Sequence, residues 1–553
     1  MLPIRSRFAR LMAFPLAMLS LGQAALAGEA PAPADPKLLV AISVDQFGAD
    51  LFAQYRPHFT GGLARLQQGA VYPSAYQSHA ATETCPGHST LLTGVHPARS
   101  GIIANNWYDV TLARADKRVY CVEDEANPDS SSKQPVVSAG HLRVPTLGDR
   151  MKATWPQSRN VAVSGKDRAA IMMGGHRLDA VYWWQGRGFA SLAGRTLEAD
   201  ALAENAAVLA AVGKGSPGLP VPAWCGARAR VVKAGDVGLG NGRFAVDADG
   251  FDQFRVSPRL DEATLDLAAR LAGTMQLGKG AAPDMLSVSL SATDYVGHAF
   301  GHEGQEMCIQ LARLDAALGV FLTRLDALKV DYAVVLTADH GGLDVPERLD
   351  QQGMPGATRV DPALLPGALG KQVAARLGLP GDAPLVYGDG AFGDYYVSRD
   401  LPADVRAKAI TALADILRAH PQVALALTKD ELARVPLPAG SPQDWSLRER
   451  ARLSYDPERS GDVVSLLNRA VVPIATPGPG YTATHGSPWD YDRRVPLLFW
   501  QKGRAGFEQP APVETVDIAP TLAALIHLPV PAGAFDGRCL DIDGGEVNSC
   551  SGK

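Results

Sequence analysis

The chain has 553 residues, 46% hydrophobic and 20% charged, a balance that excludes a disordered polymer and a membrane-spanning protein and suits a large core with insertions. Its formal net charge of −5 becomes about −8 without the first 27 residues, which carry Arg5, Arg7 and Arg10 and no acid. A mildly acidic protein lacks the basic surface that phosphate neutralisation requires, so no nucleic-acid-binding surface is expected.

Those first residues read as a secretory signal: a basic start, an apolar stretch from Leu11 to Gly22, and Ala25-Leu26-Ala27 as small residues for cleavage near Ala27. Pro15 and Gln23 interrupt a stretch already short for a bilayer, so the mature chain is expected to have no membrane anchor and to be periplasmic or secreted. A Pro/Ala-rich linker over 28–36 leads into one domain over 37–553. Six cysteines (Cys85, Cys121, Cys225, Cys308, Cys539, Cys550) fit an oxidising compartment. Cys539 and Cys550 are neighbours in sequence and are the first expected pair; the other four leave three pairings open.

The run Lys37-Leu-Leu-Val-Ala-Ile-Ser-Val-Asp45 is almost continuously apolar, as a parallel strand covered on both faces must be, and it ends on an acid. The same design recurs at Asn160–Ser164 before Gly165-Lys166-Asp167-Arg168, at Met285–Leu290 before Ser-Ala-Thr-Asp294, and at Tyr332–Thr337 before Ala-Asp339-His340. Helical periodicity lies between them: Ser257-Pro258 opens one helix, and Leu311, Leu314, Leu318 and Leu325 mark another over 305–328. The expected fold is α/β, a doubly wound, mostly parallel sheet flanked by helices, with its site at the strands' carboxyl edge. Two stretches read as insertions, about 175–280 and about 343–479, the second with a helix near Ala403–Ala419.

Taken singly, the polar residues past the strands are ordinary helix caps or hydrogen-bonding histidines. As a set, Asp45, Thr84, Asp294, His298, Asp339, His340 and His485 each follow a strand or sit in a glycine-marked turn, where one site would form. Three histidines and three carboxylates suit two zinc ions, whereas magnesium or calcium would prefer oxygen alone. Two metals would clamp the attacking and leaving oxygens of an in-line displacement. Thr84 precedes Pro86, which starts a helix, so its hydroxyl lies at a helix N-terminus that favours an anion. Metal coordination would make that hydroxyl a nucleophile. Asp247-x-Asp249-Gly250-x-Asp252 is a candidate structural Ca2+ loop, but it lacks the spacing of a standard hand and reads as a polar turn.

These motifs, with Ser43-Val-Asp45, Thr84-Cys-Pro-Gly-His88, Asn105-Asn-Trp-Tyr108, Asp294-Tyr-Val-Gly-His298, Thr484-His485-Gly486 and the segment from Val513 to Ala523, resemble the alkaline phosphatase superfamily. The resemblance spans the mature chain and is closest to the threonine-nucleophile bacterial alkaline phosphatases, a branch related to type I phosphodiesterases and nucleotide pyrophosphatases. It implies a zinc on Asp45, Asp339, His340 and the Thr84 oxygen, and a second on Asp294, His298 and His485. It further implies that Asn105, Lys166 and Arg168 grip the phosphoryl oxygens of small-molecule phosphate monoesters, hydrolysed through a phosphothreonine. Sulfatases on this fold follow their modified Cys or Ser with Pro two positions on; here Pro86 directly follows Cys85, so Cys85 reads as a disulfide partner or a buried thiol. A doubly charged monoester suits Lys166 and Arg168 better than a singly charged diester does. A phosphodiesterase or nucleotide pyrophosphatase would share Thr84 and the metal ligands but is expected to lack that pair.

Overall fold

A computed structural model describes residues 34–380 and 384–550; the expected signal over 1–27 and most of the linker over 28–36 lie outside them. Eleven strands bear on the site. They are β1 (Leu38–Val44), β2 (Ala70–Tyr76), β3 (Asn106–Tyr108), β4 (Arg118–Tyr120), β5 (Asn160–Ser164), β6 (Ala180–Gln185), β7 (Gly188–Ala190), β8 (Asp284–Leu290), β9 (Tyr332–Thr337), β10 (Arg494–Gln501) and β11 (Phe507–Glu508). The helices that matter are α1 (Thr84–Thr93), α2 (Asp167–Gly174), α3 (Pro258–Thr274), α4 (Ala292–Phe300) and α5 (Gln305–Ala327).

Nine strands form one sheet in the order β11-β2-β10-β9-β1-β8-β5-β6-β7. The run β9-β1-β8-β5-β6 is parallel, β10 is antiparallel to both its neighbours, and β7 closes the far edge as a hairpin with β6. This is the expected doubly wound, mostly parallel sheet. Every residue of β1, β5, β8 and β9 is buried, the outcome their mostly apolar runs require, with the small polar residues Ser43, Ser287 and Ser289 buried among them. Alternate residues of β5 serve opposite faces: Val161 and Val163 join the main core with α3 and α5, while Ala162 joins a second cluster with α2 and the β3–β4 ribbon. Ser257 caps α3 by accepting from the Arg259 N–H, and Pro258 takes the first helical position.

Because the four central strands β9, β1, β8 and β5 are parallel neighbours, their carboxyl ends line one edge, which brings Asp339, Asp45, Asp294 and Lys166 together. The first stretch read as inserted includes residues 180–190, which form β6 and β7 and so extend the sheet. Their run Ala-Val-Tyr-Trp-Trp has the same buried character as the other strands, but it ends on Gln185 rather than on an acid or a basic pair that would mark it. The second stretch builds a separate four-stranded antiparallel sheet, covered by helices Pro366–Leu377 and Ala403–Ala419 around an apolar cluster of its own. Three disulfides cross-link the chain: Cys85–Cys121, Cys225–Cys308 and the expected Cys539–Cys550. At the calcium candidate the acids are turned to other partners: Arg187 lies 3.0 Å from Asp249, and Gln253 donates to Asp247 at 2.9 Å. Among the described residues no helix is long and apolar enough to cross a membrane.

Candidate active site

Asp45 leaves β1 with its N–H still bonded to Leu290 O of β8, so its carboxylate is fixed by the sheet. Asp294 and His298 lie on one side of α4, four residues apart, with His298 Nε2 3.2 Å from Asp294 Oδ1. Asp339 and His340 follow β9, and His340 Nε2 lies 3.2 Å from Asp339 Oδ2 and 3.5 Å from Asp45 Oδ1. His485 arrives from the loop before β10, with Nε2 3.4 Å from Asp294 Oδ1 and its ring stacked 3.5 Å from His340. Ligand atoms of Asp45, Asp339 and His340 converge within 4.8 Å of one another, and so do those of Asp294, His340 and His485. His340 therefore stands between the two groups. His298 lies outside the tighter convergence, next to Asp294.

The imidazoles are oriented from behind. His298 Nδ1 donates to Ala483 O at 2.8 Å, His340 Nδ1 to Gly341 O at 2.9 Å, and His485 Nδ1 to Thr82 O at 2.8 Å. A carbonyl only accepts, so each Nδ1 carries the hydrogen and each Nε2 faces the carboxylates. Burial holds His340 and His485 below the ordinary histidine range, hence neutral, with an Nε2 lone pair towards an anionic oxygen. Asp45 Oδ1, Asp294 Oδ1 and His340 Nε2 are buried without a hydrogen-bond partner. Acceptors set against acceptors in a buried cluster are reconciled by a cation between them, so the residues fit metal ions.

Lys166, just past β5, already places one cation there. Its Nζ lies 2.7 Å from Asp45 Oδ2 and is hydrogen-bonded to Asp294 Oδ2. Burial opposes the ammonium, but Asp294 and Asp45 outweigh it and hold its pKa above the ordinary lysine value. The resemblance implied a Lys166 turned towards a phosphoryl group; here it bridges two carboxylates because buried charge of opposite sign lies within its reach.

Thr84 is fully buried at the first position of α1, with Glu83 as N-cap; the helix thus begins two residues before Pro86. Arg168 Nη2 lies 3.4 Å from Thr84 Oγ1 and its Nη1 3.3 Å from Tyr120 Oη. Asn105 accepts the Cys85 N–H on its side-chain oxygen at 2.8 Å, so that first-turn donor is occupied by the protein itself. A cleft of about 690 Å3 opens beside Lys166 and Arg168, walled by Tyr295, Trp183 and Trp184. The ten residues singled out in the sequence thus gather at one edge of the sheet. Others had no separate signal. His88 donates from Nδ1 to Thr84 O at 2.9 Å and accepts from Ser289 at Nε2, with Asp339 Oδ2 3.0 Å from Nδ1. His88 could be read only as a motif letter, and Tyr120 and Tyr295 carried no local mark.

Gly87 shows how tightly α1 is seated: a Cβ there would lie 2.2 Å from Asp339 O. Gly87→Ala must push α1, which carries Thr84, away from the strand end carrying Asp339 and His340. We expect a loss of about 2–3 kcal/mol in a denaturant melt and a turnover at least about tenfold lower. Unchanged stability and turnover would show that the close approach is not maintained.

Residues 39–488 match the family model described as type I phosphodiesterase / nucleotide pyrophosphatase. The chain is 54% identical over 521 residues to alkaline phosphatase PhoK of a Sphingomonas species, covering 94% of this chain and 93% of that protein. It is 50% identical over 522 residues to alkaline phosphatase PhoD of Zymomonas mobilis, covering 94% and 90%. The crystal structure of alkaline phosphatase PafA superposes with a TM-score of 0.79 at 26% identity, over 93% of this chain and 100% of that one. Murine ectonucleotide pyrophosphatase/phosphodiesterase 5, at a TM-score of 0.52 and 14% identity over 91% of this chain and 97% of that one, shares the fold alone. The chain belongs to the type I phosphodiesterase/nucleotide pyrophosphatase family, in the threonine-nucleophile branch of the alkaline phosphatase superfamily.

Proposed function

We propose that this protein is an exported, zinc-dependent alkaline phosphatase that hydrolyses small-molecule phosphate monoesters through a phosphothreonine at Thr84. The observation that carries the reading is the inward set of imidazole Nε2 atoms and buried carboxylates beside a threonine and two cations. Asp45, Asp339 and His340 would hold one metal and Asp294, His298 and His485 the other. Nitrogen ligands alongside carboxylates favour zinc over calcium or magnesium. When bound, the metals supply Lewis acidity that activates the threonine hydroxyl and neutralises the departing oxygen.

The chain's own residues do the rest. Thr84 Oγ1, at the positive end of α1, attacks phosphorus in line with the ester oxygen, which departs as the alcohol. Water then cleaves the phosphothreonine, restoring the hydroxyl and releasing inorganic phosphate. Asn105, Lys166 and Arg168 hold the non-bridging oxygens, where charge accumulates in the transition state. Arg168 is donor-only, so towards Thr84 Oγ1 it acts as a hydrogen-bond donor and supports negative charge on that oxygen. Three disulfides and the basic, apolar, small-residue N-terminus support export to the periplasm or medium. A diesterase reading would keep Thr84 and the metal residues; the paired cations Lys166 and Arg168 favour the doubly charged monoester.

The deciding experiment compares an aryl monophosphate with the matching bis-aryl diester before chelation, after it, and after zinc is returned. Monoester hydrolysis should exceed diester hydrolysis, fall at least about 100-fold on chelation and recover with zinc. Monoester turnover that survives verified metal removal would overturn the metal reading, and a preference for the diester would overturn the substrate reading.

A further inference from the structure

The residues around Thr84 belong to a ring of contacts that is closed covalently. Cys85, the next residue along α1, is disulfide-bonded to Cys121, which directly follows β4. Strand β4 pairs with β3, with Asn106 opposite Tyr120, and Asn105 immediately precedes β3. Asn105 is held by three bonds, two to the segment that carries Thr84 and one to Cys121. Its N–H donates to Glu83 Oε2 at 2.8 Å, its side-chain oxygen accepts the Cys85 N–H at 2.8 Å, and its carbonyl accepts the Cys121 N–H at 3.0 Å. A backbone N–H can only donate, so the amide's oxygen is turned to Cys85 and its NH2 group is aimed the other way.

The same end of the ribbon also reaches Arg168. Tyr120 Oη donates to Asp167 Oδ1 at 2.6 Å and accepts from Arg168 Nη1 at 3.3 Å, while Arg168 Nη2 lies 3.4 Å from Thr84 Oγ1. Burial, reinforced by Asp167, keeps the phenol protonated and therefore able to donate. Both sulfurs belong to residues that are fully buried in the apolar cluster shared by α2 and the ribbon. Two residues from distant parts of the sequence, Asn105 and Arg168, are thus set against Thr84 by one short hairpin.

We propose that the Cys85–Cys121 disulfide and the Tyr120 hydroxyl are positioning elements for phosphoryl transfer, holding Asn105 and Arg168 in register with Thr84. The inference rests on the reading of Asn105 and Arg168 as phosphoryl-gripping residues. Cutting the staple frees the ribbon to drift from α1, and drift of about 1 Å at a gripping group is enough to lower turnover by about 100-fold.

The test uses the full-length, zinc-loaded enzyme with an aryl monophosphate, reading kcat, KM and the inhibition constant of inorganic phosphate, which reports the grip directly. The variants are Cys85→Ala/Cys121→Ala, chosen because a buried serine hydroxyl would add an unpaired group, and Tyr120→Phe, which removes one oxygen. Each is made alone and in Asn105→Ala and Arg168→Ala backgrounds, with Cys539→Ala/Cys550→Ala as the remote control. We expect the double alanine to lower kcat/KM by about 10–100-fold and to weaken phosphate inhibition at least about tenfold. That effect should shrink below about threefold in the Asn105→Ala background, because coupled residues are not additive. Tyr120→Phe should show the same pattern at smaller size against Arg168→Ala, and it keeps the idea testable should the double alanine fail to fold. Losses that simply multiply across the backgrounds would overturn the proposal alone, as would a lowered melting temperature with KM and phosphate inhibition unchanged. If Asn105→Ala and Arg168→Ala themselves leave phosphate inhibition untouched, the proposal falls together with the gripping roles.

Discussion

Thr84→Ala should lose at least about 10^3-fold in monoester turnover while retaining both metals. The methyl group that replaces the hydroxyl cannot attack phosphorus, and only a misaligned water remains to do so. Metal retention is expected because Asp45, Asp339, His340, Asp294 and His485 are fixed by strand ends and by backbone carbonyls behind each imidazole, none of which involves the threonine side chain. Three measurements check this: steady-state hydrolysis of an aryl monophosphate, metal content by mass spectrometry, and acid quenching to trap phosphothreonine. The native enzyme should yield the phosphorylated peptide containing Thr84 and the variant none. Full activity in Thr84→Ala would remove the nucleophile from the mechanism.

Lys166→Ala/Arg168→Ala should separate the two ester classes. A monoester carries about two negative charges and a diester one, so the two cations contribute more to the monoester's transition state. Each prepositioned donor of this kind contributes about 10^2-fold, and the double variant should cut monoester kcat/KM at least about 10^2-fold more than diester kcat/KM. The variant must be assayed with metal bound. Lys166 lies between Asp45 and Asp294, and deleting the ammonium leaves two buried carboxylates without it. Equal losses on both substrates would mean that the pair is structural, and the diesterase reading would then regain its place.

Much of the architecture was legible locally. An apolar run long enough for one strand and closed by an acid marks both a doubly covered strand and its functional end, which is why Asp45, Asp294 and Asp339 stood out. Ser257-Pro258 announced α3, and leucine spacing marked α5 to within a residue of its observed end. The short separation of Cys539 and Cys550 singled out their bond among the possible pairings.

Other features were decided only in three dimensions. The runs of β1, β8 and β9 are all fully buried, so nothing local says that β1 lies between β8 and β9 or that β10 enters antiparallel. That order follows from burying all these surfaces at once. The Cys85–Cys121 bond, the bridging position of Lys166 and the contact of Tyr120 with Arg168 likewise join residues that only the fold makes neighbours. Residue type, spacing and strand endings by themselves determined the class of fold and the chemistry its edge can hold, because burial and coordination have local signatures. Tertiary structure alone decided which groups face one another, because register, orientation and charge pairing are properties of the packed whole.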